Sequence, residues 1–478
     1  MLATRSGLAA VVTGCILAGC MVGPDYKRPP VDAPKAYLYE PKDTVVADLE
    51  WWKRFDDPVL DRLIADALAN NRNIRIAAAN VEQAAGVVTS VKSPLYPQVG
   101  YEANAGRLRF SQSGTSSLPI DMSNPTPFYQ LLAGASWEID LWGKVRRQTE
   151  AAQANLLATE EARRGVILTL VADVAAGYLQ LRGLDEQLAM ALRTQKTYRE
   201  ALDLMELRYK YGRVSEMNVE QARARYETAA AKIPQIRRDI AVLEDSLSIL
   251  VGKLPGPIPR GKSIFELAVP PIPAGIPSEL LERRPDLLQA EQQLIAANAT
   301  IGAAKAQYFP SISLTAALGT ASTDLSNLFK GPARTWSFVG NLTGPIFTGG
   351  LIAGQVAQAE AGQKAALVSY ELAIQNAFAD VDSALVTRET LAEQVAAQEK
   401  LVKALRGYSK LARMLFDGGR ESYTTVLQAE QQLFPAELDW AGAQAKLCIS
   451  LVNIYKAMGG GWVATADGMT GERKAAAQ

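Results

Sequence analysis

NIRIAAANVEQAAGVVTSVKSPLYP (residues 73–97) and DLLQAEQQLIAANATIGAAKAQYFP (residues 286–310) are two versions of one segment, set 213 positions apart. Each reads as a helix of roughly two dozen residues that stops at an aromatic-proline break. Further on, Gly212-Arg213-Val214-Ser215 followed by Val219-Glu220-Gln221-Ala222 returns as Gly419-Arg420-Glu421-Ser422 followed by Val426-Leu427-Gln428-Ala429, now 207 positions apart. Repetition at a fixed offset means that one supersecondary plan is used twice. The offset shrinks by 6, which places a longer loop in the first copy, within Ser111 to Thr126. Each copy then has one order: helix, aromatic-proline break, two short alternating segments around a Gly/Ser/Pro-rich loop, a long tract without proline, a glycine turn and another long helix.

The alternating segments predict strands. Val99, Tyr101, Ala103 and Ala105 alternate with polar or small residues, as do Leu131, Ala133, Ala135, Trp137 and Ile139. In the second copy Ile312, Leu314, Ala316 and Leu318 alternate likewise, and Trp336 and Phe338 open the return strand. Period two over about 10 residues suits a membrane barrel strand, apolar on one side and polar on the other. Tyr96, Phe110, Phe128, Tyr129, Trp142, Phe309 and Phe347 near the strand ends suit an interfacial girdle. An ordinary half-buried sheet has the same alternation. Four strands cannot close a barrel, which needs about 8, so a membrane reading demands an oligomer. Three chains supply twelve strands.

The long tracts carry the strongest periodicity. No proline occurs from Phe128 through Ile233 or from Ile346 through Phe434. Ile167, Val171, Val174, Tyr178 and Leu181 step by four, three, four and three, and Ile374, Phe378, Val381 and Leu385 repeat the pattern. That is a heptad seam. The tracts beginning near Lys144 and Leu351 are expected to run about 55–65 residues, on the order of 90 Å at 1.5 Å per residue. A plain coiled-coil stalk would share the seam but not the strand pairs inserted before each long helix.

Composition removes several function classes. Lys+Arg and Asp+Glu are both 50, so no excess charge points to nucleic acid. There is no histidine, which removes Ser-His-Asp catalysis, histidine bases and most zinc sites. The cysteines are Cys15, Cys20 and Cys448; the last, in an apolar helical run, reads as a small core residue. The N-terminus has Arg5, an apolar run and then Leu17-Ala18-Gly19-Cys20, a short secretory signal. Its end resembles a bacterial lipobox, which implies cleavage before Cys20 and acyl chains on that residue. Two or more chains anchor stably at about 0.8 kcal/mol per buried CH₂. Gly256-Pro257-Ile258-Pro259-Arg260-Gly261-Lys262-Ser263 fits a phosphate-loop pattern, but a helix rather than a strand precedes it and its prolines remove N–H donors. It reads as part of a linker.

Trp51-Trp52 with Phe55, Asp57, Pro58 and Leu60, the stretch Leu280-Leu281-Glu282-Arg283-Arg284-Pro285-Asp286 with Ala290-Glu291, Ala304-Lys305-Ala306 with Phe309-Pro310-Ser311-Ile312, and Trp137-Glu138-Ile139-Asp140-Leu141-Trp142-Gly143-Lys144 carry a family resemblance. Together with the repeat plan and lipobox, the chain resembles the TolC-like outer membrane factor family, in particular the NodT-type lipoproteins of resistance-nodulation-division efflux systems. The resemblance covers essentially the whole chain. It implies a mainly α fold with β, with an internal two-fold repeat: a homotrimeric duct in which each chain gives four transmembrane strands to a β-barrel and long helices to an α-barrel. It implies that a periplasmic adaptor protein and an inner-membrane pump dock at the helix tips and open an iris there. It implies no enzyme activity, cofactor or metal. Residues 1–19 are then the signal peptide, 20–254 the first repeat (strands about 97–110 and 128–141), 255–277 a proline-rich linker, 278–460 the second repeat (strands about 310–320 and 335–347) and 461–478 a C-terminal tail.

The tips fall at the glycine turns, since glycine at a helix C′ position takes the left-handed conformation without strain. Arg213, Glu216, Asp417, Arg420 and Glu421, around Gly419, are the candidates for interchain ion pairs that hold the iris shut. A solvated charged tip is the plainer reading. Many family members carry aspartates just after the second tip; here those slots hold Thr425 and Gln428, and the first-copy slot holds Asn218. The cargo reading is drugs or other xenobiotics. Metal ions or polypeptides are the alternative cargo, copper and silver being disfavoured by the lack of histidine, and a non-transporting lipoprotein scaffold is the third reading.

Overall fold

The structure, a computed structural model, describes residues 21–30, 37, 45–46, 50–111, 124–269, 273–274, 277–459 and 462–470. Residues 1–19, expected to be a signal peptide, and Cys20 lie outside them, as does most of the first-copy loop. The chain divides into two compact units, one of Met1–Pro30, Val81–Ala158 and Ala290–Tyr370, the other of Val31–Asn80, Thr159–Gln289 and Glu371–Gln478.

The first unit holds the sheet: β1 (Gln98–Leu108), β2 (Thr126–Ile139), β3 (Ser311–Ser322) and β4 (Arg334–Thr343), antiparallel in the order β1-β2-β3-β4. The two hairpins, one from each repeat, join through β2 and β3. The connection spans residues 109–125 in the first hairpin and 323–333 in the second, and this carries the six-residue difference between the repeat offsets.

Register sorts the side chains. Val99 pairs with Ala135, Tyr101 with Ala133, Ala133 with Leu318, Trp137 with Leu314, Leu318 with Trp336 and Ala316 with Phe338. Directly paired residues share a face, so these make one apolar face. The opposite face pairs Asn104 with Gln130, Ser136 with Thr315, Glu138 with Ser313 and Ser313 with Asn341. The apolar face is uncovered in the chain: Tyr101 is 86% exposed and Trp336 77%. In water about 25 cal/mol per Å² opposes such exposure. The outer strands β1 and β4 each have an unpaired edge within the chain.

A two-stranded parallel pair joins Val45–Val46 to Pro273–Ala274, and most of the rest is helical: α1 (Pro58–Asn70), α2 (Arg72–Lys92), α3 (Lys144–Lys210), α4 (Glu216–Leu250), α5 (Pro277–Arg283), α6 (Pro285–Ala306), α7 (Leu351–Asp417), α8 (Tyr423–Ala457) and α9 (Trp462–Gly468). The two long helices α3 and α7 have 67 residues each, slightly more than expected, and α4 and α8 have 35 each. The start of α3 is fixed by Asp140, whose carboxylate accepts the N–H groups of Val145 (3.0 Å) and Arg146 (2.9 Å). Helices α4 and α8 continue through Pro234 and Pro435. A proline inside a helix costs about 3 kcal/mol; packing of Ile233, Ile236 and Ile240 on α4 and of Phe434 on α8 offsets it.

The second unit is built on the heptad seam. Ile167, Val171, Val174, Tyr178 and Leu181 are all fully buried; in the second copy Ile374, Val381 and Leu385 are buried and Phe378 half-buried. Cys448 is buried as expected, and burial pushes its thiol up to about 12. Trp51 stacks on Tyr455 at 5.0 Å and meets Trp462 edge-on at 6.1 Å. The stretch expected to be a C-terminal tail therefore contributes a helix, α9, whose Trp462 enters the core. Its apolar residues find a pocket beside Trp51 and Trp52 that no local pattern in residues 461–478 reveals.

Two joints repeat the sequence offsets in three dimensions. In the first copy Asn71 accepts the N–H of Asn73 (2.8 Å) and donates to the carbonyl of Leu250 at the end of α4 (2.8 Å). In the second, Arg284 stands 213 positions on and donates to the carbonyl of Ala457 (2.9 Å), which stands 207 positions after Leu250. Arg284 also grips Asp286 (2.7 Å) and Asp380 (2.9 Å). Gly252 and Gly459 follow these helix ends with φ of +75° and +61°. A Cβ would come 2.4 Å from the Asn70 carbonyl at the first and 2.4 Å from Arg284 Cγ at the second.

The phosphate-loop look-alike is a bracket for a carboxylate. Asp57, fully buried, caps α1 through the N–H of Val59 (2.9 Å) and accepts from the Tyr178 hydroxyl (2.7 Å) and the Lys262 N–H (3.2 Å). The Gly261 N–H donates to the Tyr178 oxygen (2.9 Å), and Lys262 pairs with Asp56. Backbone donors that the pattern would offer to phosphate are committed to Asp57 and Tyr178.

Candidate functional site at the helix tips

Each long helix ends in the same turn. After α3 the Gly212 N–H donates to Tyr209 O (2.8 Å) and the Arg213 N–H to Arg208 O (2.9 Å); after α7 Gly419 donates to Phe416 O and Arg420 to Leu415 O (both 2.9 Å). This is the Schellman pattern, with the glycine left-handed, φ +66° at Gly212 and +70° at Gly419. Ser215 and Ser422 then take the extended conformation that starts α4 and α8. Under the turns Phe416 packs on Tyr423 at 5.2 Å and Arg208 lies over Phe416 at 4.9 Å.

The sequence-predicted residues separate into two groups. Arg213, Glu216, Asp417 and Arg420 are exposed at the tips. Among the described residues they form no ion pair within the chain, which leaves their charges available to another molecule. Glu421, also exposed, accepts from the Thr425 hydroxyl (3.0 Å) and the Ser422 N–H (3.3 Å) at the start of α8. Asn218 and Thr425 sit at matching places, half-buried, their N–H groups on Ser215 O (3.0 Å) and Ser422 O (3.1 Å). Thr425 carries an acid, Glu421, on its hydroxyl.

Gln428 is exposed on a groove of about 700 Å³ between α4 and α8. Gln221, Thr228, Thr424 and Gln431 also line it, an amide-rich wall whose charged residues are Arg225 and Glu430. Sequence reasoning passed over Gln221. The repeat offset pointed to it, since Gln221 stands 207 positions before Gln428.

A cross-hairpin ion pair was also missed. Arg413 on α7 meets Glu430 on α8 at 2.7 Å, and 207 positions earlier Glu206 on α3 meets Arg223 on α4 at 3.1 Å. The clasp is the same and its polarity is reversed. The first-copy pair is exposed, and water screens it. Glu430 is buried and its backbone carbonyl accepts the Tyr198 hydroxyl (3.1 Å). Burial raises the Glu430 carboxyl above its ordinary value, with Arg413 opposing. The folded state therefore holds this proton more firmly than the unfolded state. The stability Glu430 contributes is present at acid pH and lost as pH rises through its folded pKa. Relative to Glu430→Gln, the wild type should lose thermal stability between mildly acid and neutral pH; a relative gain over that interval contradicts the assignment.

The family model described as Outer membrane efflux protein matches residues 63–253 and 276–460, one block for each repeat. The toluene efflux pump outer membrane protein TtgC of Pseudomonas putida is 37% identical over 472 residues, 96% of each chain. The cation efflux system protein CusC of Escherichia coli is 34% identical over 453 residues, 93% of this chain and 96% of that one. The crystal structure of the CmeC outer membrane channel of Campylobacter jejuni superposes with a TM-score of 0.86 at 27% identity, covering 92% of this chain and 95% of that one. With the repeat, the amphipathic sheet and the paired tips, this chain belongs to the outer membrane efflux protein family and is an outer-membrane exit channel of an efflux pump.

Proposed function

We propose that three copies of this chain close a twelve-stranded β-barrel across the outer membrane and a helical barrel beneath it, as the passive exit duct for drugs and other xenobiotics. The observation that carries this is the sheet, with one face apolar and uncovered, the other polar, and both edges open. Lipid offers backbone groups no partners, so such a sheet is stable in a membrane only when its edges are closed by neighbours. The apolar face then meets lipid and the polar face lines water. Cys20 carries the lipid anchor. A periplasmic adaptor and a resistance-nodulation-division pump dock on the tips, where Arg213, Glu216, Asp417 and Arg420 await partners. The pump supplies energy and selection. The relatives' names include both toluene and cation efflux, which fits a duct that does not itself select.

Thr425 and Gln428 approach the narrowest ring, where neutral groups focus little potential on a cation. Purified protein in a planar bilayer should give discrete conductance steps that trivalent cations on the periplasmic side block only weakly. Thr425→Asp with Gln428→Asp should lower the blocking concentration about tenfold or more, since converging carboxylates in a narrow pore concentrate counter-ions. Strong wild-type block that ignores both substitutions would place the ring at Glu421 or Asp417 instead.

A further inference from the structure

Residues Met21 to Arg28 are held by more bonds than a tether needs. Arg147 on α3 is 1% exposed, yet its guanidinium faces this segment: Nε donates to Val22 O (3.2 Å), Nη2 to Gly23 O (3.3 Å) and Asp25 Oδ1 (2.7 Å), and Nη1 to Glu150 (2.8 Å). The Val22 N–H donates to Trp142 O (3.1 Å), Asn298 Nδ2 to Pro24 O (2.9 Å), and Tyr26 and Arg28 both bond Glu291 (3.1 and 2.8 Å). The strap crosses α6 backbone to backbone. Gly23 has φ +103°, and a Cβ on it would lie 2.4 Å from Gly302 Cα; one on Gly302 would lie 2.6 Å from Val22 O. Met21 rests on Gly143, where a Cβ would come 2.4 Å from its Cγ. Ordering each of these residues costs backbone entropy that the bonds must offset. Neither the tips nor the sheet uses this arrangement.

The strap ends beside an aromatic shelf. Trp142 stacks on Phe309 at 4.6 Å and donates its indole N–H to Pro310 O (2.7 Å). With Leu141, Gly344 and Pro345 they line an open cleft of about 230 Å³ at the end of the sheet where β2 stops and β3 starts, with Glu138, Asp140 and Lys144 also on its lining. Phe309 is 40% exposed there. Cys20 directly precedes Met21, and consecutive Cα atoms lie about 3.8 Å apart.

We infer that the strap is a rigid seat for the modified N-terminus, delivering the acyl chains of Cys20 to the Trp142–Phe309 shelf rather than leaving them on a free tether. This rests on the reading of Cys20 as lipidated. The occupant of the cleft is then a part of this chain: the strap leads to it, the Trp142–Phe309 stack gives it an apolar patch, and the lipid-facing surface of the sheet begins three residues away at Ile139.

The test uses the full-length protein in outer membranes, labelled metabolically with a diazirine fatty acid, irradiated and mapped by mass spectrometry. Adducts should concentrate on the peptides that contain Trp142 and Phe309. Gly302→Val, which forces the strap off α6, should leave label incorporation unchanged and cut those adducts several-fold. Asn298→Ala with Arg28→Ala, which loosens the strap without inserting a side chain, should cut them less. Adducts spread over bulk lipid and the whole chain in the wild type, or unaffected by either variant, overturn the seat. Equal labelling of wild type and Cys20→Ala overturns the lipidation reading itself.

Discussion

Asp57→Ala should destabilise the protein by about 3–5 kcal/mol, because it strands several buried donors at once. The Val59 N–H loses its cap, and the Tyr178 hydroxyl and the Lys262 N–H lose their acceptor. Asp57 is fully buried, as is Tyr178, so water does not readily replace the carboxylate. Burial and the neighbouring Asp57 carboxylate both push the Tyr178 phenol upward, which keeps it a donor across the working pH range. Asp57→Asn retains an acceptor for the cap and should cost about 1–2 kcal/mol. Thermal unfolding of the purified channel measures both. A midpoint for Asp57→Ala within error of the wild type would remove the bracket from the account of how α1 is fixed.

Arg284→Ala should cost about 2–3 kcal/mol, less than truncation of a fully enclosed ion pair, because its two carboxylates retain water. Arg284 is buried while Asp286 and Asp380 are half exposed. The substitution frees the Ala457 carbonyl and disconnects α6 from both α7 and α8. The counterpart Asn71→Ala loses a helix cap and one bond to the Leu250 carbonyl, worth about 1–2 kcal/mol. Arg284→Lys keeps the charge without the planar fork and should recover only part of the loss. Hydrogen exchange at the ends of α4 and α8 separates the joints: Arg284→Ala should speed exchange at the end of α8 and leave the end of α4 unchanged. Equal acceleration at both would mean that the two joints are not independent.

The architecture was legible in the sequence because the repeat and the periodicities are backbone-level signals. The 213 and 207 offsets reappear as equivalent bonds, Asn71 to Leu250 and Arg284 to Ala457, and the four-three steps from Ile167 to Leu181 are the buried seam. Alternation in Tyr101, Ala133, Leu318 and Trp336 foretold an apolar face, and register showed that these residues lie on one line across the sheet. Glycine chemistry located both tips. What stayed hidden depends on contacts between distant segments. The packing of Trp462 against Trp51 across more than 400 residues has no periodic signature. The reversed polarity of Glu206–Arg223 and Arg413–Glu430 was hidden for another reason: a search for similar residues passes over a pair whose members exchange places. The orientation of Glu421 onto Thr425 is a rotamer choice that spacing does not specify.

The central claim is that four strands per chain close into a barrel only with neighbours, and the mass of the folded protein in mild detergent tests it most directly. Analytical ultracentrifugation with detergent correction should give three chains per particle, with strand content retained. A folded, monodisperse single chain that keeps its sheet would contradict the account, because β1 and β4 would then survive with open edges.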